Sequence, residues 1–218
     1  MPISDPLDGA RPFARLRELA RRPTPAEHCD VCGQPVAENH DHLMEPAARR
    51  LLCACGACAV LFSGQTGARY KRVPRDVRML EQFELSDAQW DSLRLPINLA
   101  FFFYSSPKNR VVACYPSPAG ATESLLPLEA WEEVAEANSV LAGMEPDVEA
   151  LLVNRVGYAR GLAPAEYFIA PADRCYRLVG IIRTRWKGLS GGTEVWRDIA
   201  GFFSDLRTEA GRGGGSSA

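Results

Sequence analysis

Eight of the ten Cys and His residues in this chain of 218 lie between positions 28 and 58: His28, Cys29, Cys32, His40, His42, Cys53, Cys55 and Cys58. Only Cys114 and Cys175 fall outside. Cys29-Asp30-Val31-Cys32-Gly33 has the form of a metal knuckle. Such a turn aims two thiolates at one ion, and its glycine relieves crowding where backbone N–H groups approach sulfur. Cys55-Gly56-Ala57-Cys58 supplies a second C-x-x-C, with twenty-two residues between the pairs. Four thiolates so spaced suit a tetrahedral Zn²⁺, or a single Fe, at roughly 2.3 Å. A small lobe of this kind can hardly bury enough apolar surface to fold alone. A structural zinc ion supplies about 10–16 kcal/mol of apparent folding free energy in small peptides. The metal ligands read from spacing are therefore Cys29, Cys32, Cys55 and Cys58. Seven cysteines is an odd number, which argues against a fully paired disulfide framework.

Cys53, His40 and His42 do not fit either pair. Apolar residues around Val36 and Leu43, and again at Leu51 and Leu52, predict a hairpin turning near residues 46–49. Its register sets His42 opposite Cys53 and His40 opposite Cys55. Residues two apart on a strand share a face, so both imidazoles are expected to look at the thiolates. Three roles stay open for these residues: donors to the sulfurs, ligands replacing one cysteine or holding a second ion, or surface histidines. His28 reads as a surface residue.

The composition of the whole chain is that of a soluble globular protein, 46% hydrophobic and 24% charged, and the order of elements beyond the lobe reads as α+β. A net charge of -2 gives no global basic field for nucleic acid. Residues 69–78 hold five basic side chains and one Asp, read as a solvated strand or turn, with a nucleic-acid patch as the alternative. No run of eighteen apolar residues occurs, and the N-terminus lacks a signal-peptide core. A cytoplasmic, reducing location is the expectation. Phe13, Leu16, Leu19 and Ala20 predict an amphipathic helix stopped by Pro23. Ser86 with Gln89 predicts a capped helix start. Residues 97–105 and 110–115 predict a β-hairpin, 116–124 a loop, 128–141 a helix, and 148–154 and 166–170 two strands. Helices follow from Asp173 to Lys187, with an inner stripe of Tyr176, Val179, Ile182 and Trp186, and from Thr193 onward. The organisation is a lead-in and helix over 1–24, a zinc-ribbon-like Cys/His lobe over 25–65, a mixed α+β domain with C-terminal helices over 66–209, and a disordered Gly/Ser tail over 210–218. That domain has no His, and Glu123, Glu132, Glu133 and Asp173 read as caps or solvated charges. No catalytic residues are assigned. Cys114 and Cys175 read as buried small hydrophobes.

The strings CDVCG, ENHDHL, LLCACGACAVLF, INLAFFF, YPSPAGATESLLPLEAW, EALLVNR and WKGLSGGTEVWRDIAGFFSDL fall between residues 29 and 206, within a resemblance that covers about residues 12 to 208. In these the chain resembles an actinobacterial family of uncharacterised proteins encoded among the accessory genes of high-affinity, oxygen-tolerant nickel–iron hydrogenases. The resemblance implies a role in making, protecting or wiring a hydrogenase, with a hydrogenase subunit or another maturation protein as partner. It implies no mechanism. Three functions follow as expectations: a non-enzymatic zinc-binding assembly factor, a rubredoxin-like electron carrier, and a nucleic-acid-binding zinc ribbon. Zinc is favoured over mononuclear iron because Cys58 is followed by Ala59 where a rubredoxin knuckle has glycine. An iron–sulfur cluster using Cys53 is the third metal reading.

Overall fold

A computed structural model describes residues 27–63, 68–124, 129–188 and 191–213. The helix expected near residues 13–22 lies outside them, as do most of the linker after the lobe and residues 214–218.

The run Leu-Ala-Phe-Phe-Phe-Tyr-Ser is apolar at nearly every position, the pattern of a strand covered on both faces. It forms β5 (Leu99–Ser105), inside a six-stranded antiparallel sheet. The others are β4 (Arg78–Met79), β6 (Arg110–Ser117), β7 (Gly120–Glu123), β8 (Glu149–Asn154) and β9 (Glu166–Pro171), in the order β4-β9-β8-β5-β6-β7. Strand alternation sorts two cores. Leu99, Phe101, Phe103, Leu152 and Phe168 face two helices, α4 (Ala172–Arg185) and α5 (Gly192–Gly213). Ala100, Phe102, Leu151, Val153 and Ile169 face the other way, against Trp90 and Trp131. Those tryptophans sit on α2 (Asp87–Ser92) and α3 (Ala130–Ala137). Ser86 caps α2 as predicted, its hydroxyl taking the Gln89 N–H while the Gln89 side chain takes the Ser86 N–H.

The lobe is a second, smaller sheet. β1 (Asp41–Glu45) pairs antiparallel with β2 (Arg50–Ala54) and with β3 (Lys71–Arg72), and α1 (Gly56–Leu61) follows β2. β3 comes from beyond residue 65, so the chain returns once to the lobe before entering the large sheet.

Several boundaries differ from the sequence reading. Residues 116–124 are not one long loop: Ser117 pairs with Gly120, at φ 123°, and the chain turns straight into β7. The helix read over 128–141 is α3 plus a separate 3-10 turn, Ser139–Gly143, because the Asn138 side chain bonds the Glu84 backbone and breaks the run. In α4 the buried stripe is Cys175, Leu178, Val179 and Ile182, while Tyr176 and Trp186 are only partly covered. Asp173 lies inside the first turn after Pro171, not at the cap. Residues 210–213, read as tail, continue α5, whose apolar face (Val195, Ile199, Phe202, Phe203, Leu206) anchors it to the sheet.

Candidate metal centre

The knuckle forms because Gly33 takes φ +76°, a left-handed conformation that costs other residues. There its N–H reaches the Cys29 carbonyl at 2.8 Å. The Asp30 N–H donates to the Cys53 carbonyl at 2.8 Å, and the Asp30 carboxylate takes the Cys53 N–H at 2.6 Å. These two bonds seat the knuckle on β2. The second pair is built differently. Cys55 ends the extended chain and Cys58 sits in the first turn of α1, where the Ala59 N–H bonds the Cys55 carbonyl. Helical i, i+3 spacing turns both sulfurs to one side. A helix makes that turn without help from a following glycine, which accounts for Ala59 after Cys58.

Cys29, Cys32, Cys55 and Cys58 bring their sulfurs within 4.8 Å of one another, and Cys32 Sγ stands 3.7 Å from Cys55 Sγ. A tetrahedron with metal–sulfur bonds of about 2.3 Å has edges of about 3.8 Å. The four can therefore hold a metal ion, and they are free thiols. Burial raises the Cys29 thiol, yet backbone N–H groups of Cys55, Cys32 and Val31 outweigh this and bring it down to about 6. Burial, and then its sulfur neighbours, push Cys58 up to about 12. Four thiolates this close repel one another unless a cation lies among them. Beneath the set is a small core of Leu43, Leu52, Ala54 and Ala59.

The hairpin register is as read: His42 pairs with Cys53. Pairing stops at Asp41 with Ala54, because Cys55 already begins the turn into α1. His40 is therefore not set opposite Cys55, and the imidazoles are not gathered to the four sulfurs. His40, His42 and Cys53 form their own group within 4.8 Å. Burial, and then the charges of Asp30, Glu27 and Cys29, hold the Cys53 thiol above its ordinary value. His28 is exposed, as read.

Asp173, read from sequence as a cap or solvated charge, instead sets its Oδ2 3.2 Å from His42 Nδ1 across 131 positions. Glu123 gathers Arg49 from the hairpin tip at 2.7 Å, with Lys108 and Arg110 beside it. All five cations of residues 69–78 meet carboxylates: Arg69 with Glu45, Lys71 with Asp147, Arg72 and Arg75 with Asp41, and Arg78 with Glu149. That run is an ion-paired strap between lobe and sheet. Cys114 and Cys175 are buried, as read.

No helix among the described residues is long and apolar enough to cross a membrane. Comparison with curated proteins and with solved structures gives no match. A family model does match, over residues 28–210, which takes in both cysteine pairs, the histidines and the large sheet. The chain belongs to the DUF5947 family, a family of unknown function.

Proposed function

We propose that this protein is a non-enzymatic, zinc-binding accessory factor of the cytoplasm that assists assembly or maturation of a nickel–iron hydrogenase through protein–protein contacts. The observation that carries the metal reading is the closed set of four sulfurs. It fills every position of a tetrahedral ion and leaves none for an activated water. Zinc is favoured over a rubredoxin-type iron because only one pair is a glycine knuckle and the other is helical. It is favoured over a cluster because Cys53 groups with the histidines. The hydrogenase reading rests on the sequence resemblance. The partner reading is supported by a groove of about 550 Å³ lined in part by Ile97, Tyr115, Pro116, Pro118, Trp186 and Trp196. Aromatic-rich concave surfaces of this kind suit an apolar anchor. The paired charges of residues 69–78 weigh against nucleic acid as the partner.

Anaerobic purification from the native host, followed by elemental analysis and a visible spectrum, tests the metal. Zinc without iron is expected, whereas iron with thiolate charge-transfer bands would make the protein an electron carrier. Deletion of the gene should lower hydrogenase activity; full activity in the deletion strain refutes the accessory role.

A further inference from the structure

The β1–β2 hairpin has two faces, and the four-cysteine set uses one of them. Leu43, Leu52 and Ala54 point into the small core beneath Cys29 and Cys58. Their neighbours along each strand point the other way. Met44 and Leu51 on that second face pack against Val148, Ala172 and Tyr176 of the large domain. His42 and Cys53 are the next cross-strand pair on the same face, and His40 lies two residues before His42.

We infer that His40, His42 and Cys53 form a second metal site, separate from the four cysteines, which takes a borderline transition-metal ion of the Zn²⁺ class at the seam between lobe and domain. Each residue offers a donor atom within 4.8 Å of the other two, and the two rings lie 4.6 Å apart, centroid to centroid. Surface histidines would be solvated, but the His40 side chain is only 6% exposed. Its Nδ1 bonds the Ala37 carbonyl at 2.8 Å and its buried Nε2 has no hydrogen-bond partner. A buried imidazole nitrogen without a partner calls for a ligand. His42 is oriented in the same sense, with Nδ1 on the Asp173 carboxylate at 3.2 Å. A carboxylate or carbonyl on Nδ1 is how metal-binding histidines are fixed with Nε2 presented to the ion. Two imidazoles and one thiolate suit Zn²⁺ or Co²⁺ better than a hard cation such as Ca²⁺ or Mg²⁺. The protein supplies three donors, and a cleft of about 470 Å³ beside both rings leaves room for water as the fourth. Since Asp173 belongs to α4, the ion would tie the lobe to the first turn of that helix.

The test counts ions on the full-length protein. Saturated with Zn²⁺, desalted and examined by native mass spectrometry, the wild type should carry two ions per chain. Cys53→Ser and His40→Gln should each carry one, with the four-cysteine ion kept. Because these variants could fold poorly, a second reading uses the wild type alone. The chain has three histidines, so long-range ¹H–¹⁵N spectra resolve each ring. Addition of the second equivalent of Zn²⁺ should shift Nε2 of two rings and leave the third unmoved. One ion per chain at saturation, two ions retained in both variants, or three unmoved rings would each overturn the inference. If the wild type binds one ion and Cys32→Ser loses it, the four-cysteine reading stands and the second site falls.

Discussion

Removing the ion from the four-cysteine set should unfold the lobe and spare the large domain. Cys32→Ser is the sharpest perturbation, because Cys32 is exposed and its replacement leaves no cavity. The lobe's core has two large buried side chains, Leu43 and Leu52. At about 1.5–3 kcal/mol each, these contribute about 3–6 kcal/mol. A structural zinc ion contributes about 10–16 kcal/mol. The smallest ion term thus exceeds the largest core term, and its loss, about 10 kcal/mol or more, shifts the lobe's opening equilibrium by well over about a thousandfold. Hydrogen exchange read by mass spectrometry should show β1 and β2 amides exchanging at least about a thousandfold faster in the variant, through local opening. Amides of β5 and β8 should stay protected, since the two cores of the large sheet contain no lobe residue. Unchanged exchange in β1–β2 would mean that the sulfurs do not hold the lobe together. Equal loss in β5 and β8 would mean that lobe and domain fold as one unit, and either result refutes the reasoning.

Phe102, 1% exposed and stacked 5.0 Å from Trp131, fills the face of the sheet away from α4 and α5. Phe102→Ala should cost about 3–5 kcal/mol in denaturant unfolding, with metal content unchanged. Cys175→Ser places a hydroxyl among apolar side chains of α4 and should cost about 1–3 kcal/mol by the same assay. Burial raises the Glu123 carboxyl, but Lys108 and Arg49 outweigh it and hold it below the usual carboxylate range. Its contribution is therefore complete above the unfolded carboxylate value and is lost as pH falls through its lower folded value. Melting curves across acid pH should show this loss in the wild type and a shallower slope in Glu123→Gln; identical slopes would remove Glu123 from the account.

What the sequence made legible is what local pattern controls. The His42–Cys53 register followed from counting back from a turn. The Ser86 cap followed from a reciprocal side-chain to backbone pair three residues apart. β5 and β8 followed from apolar runs that only a doubly covered strand can bury. Strand alternation continued through Cys55 would have put His40 opposite it, but the chain leaves the strand at Ala54 and enters a helix. The charges of residues 69–78 were equally opaque, because their partners Glu45, Asp147, Asp41 and Glu149 are distributed over strands and loops far apart in the chain. Asp173 shows its role only once α4 is laid beside the hairpin.

The segment Leu51-Leu52-Cys53-Ala54-Cys55 shows how one short stretch serves two sites. A strand sends alternate residues to opposite faces, so Leu52 and Ala54 fill the small core while Leu51 and Cys53 turn to the large domain. Carried on, that period would send Cys55 after Cys53. Ending the strand one residue earlier rotates Cys55 back toward Cys29, Cys32 and Cys58. Cys-Ala-Cys is thus a poor knuckle and a good divider: the same spacing that cannot chelate one ion sets two thiols against different partners. A single-residue insertion between Cys53 and Cys55 should therefore leave Cys53 in register with His42 while displacing Cys55 from Cys29, Cys32 and Cys58. It should abolish metal binding by the four cysteines even though every ligand is retained, and zinc counted by mass spectrometry on the insertion variant decides the matter, since an undiminished count would show that the strand's end does not set the sorting.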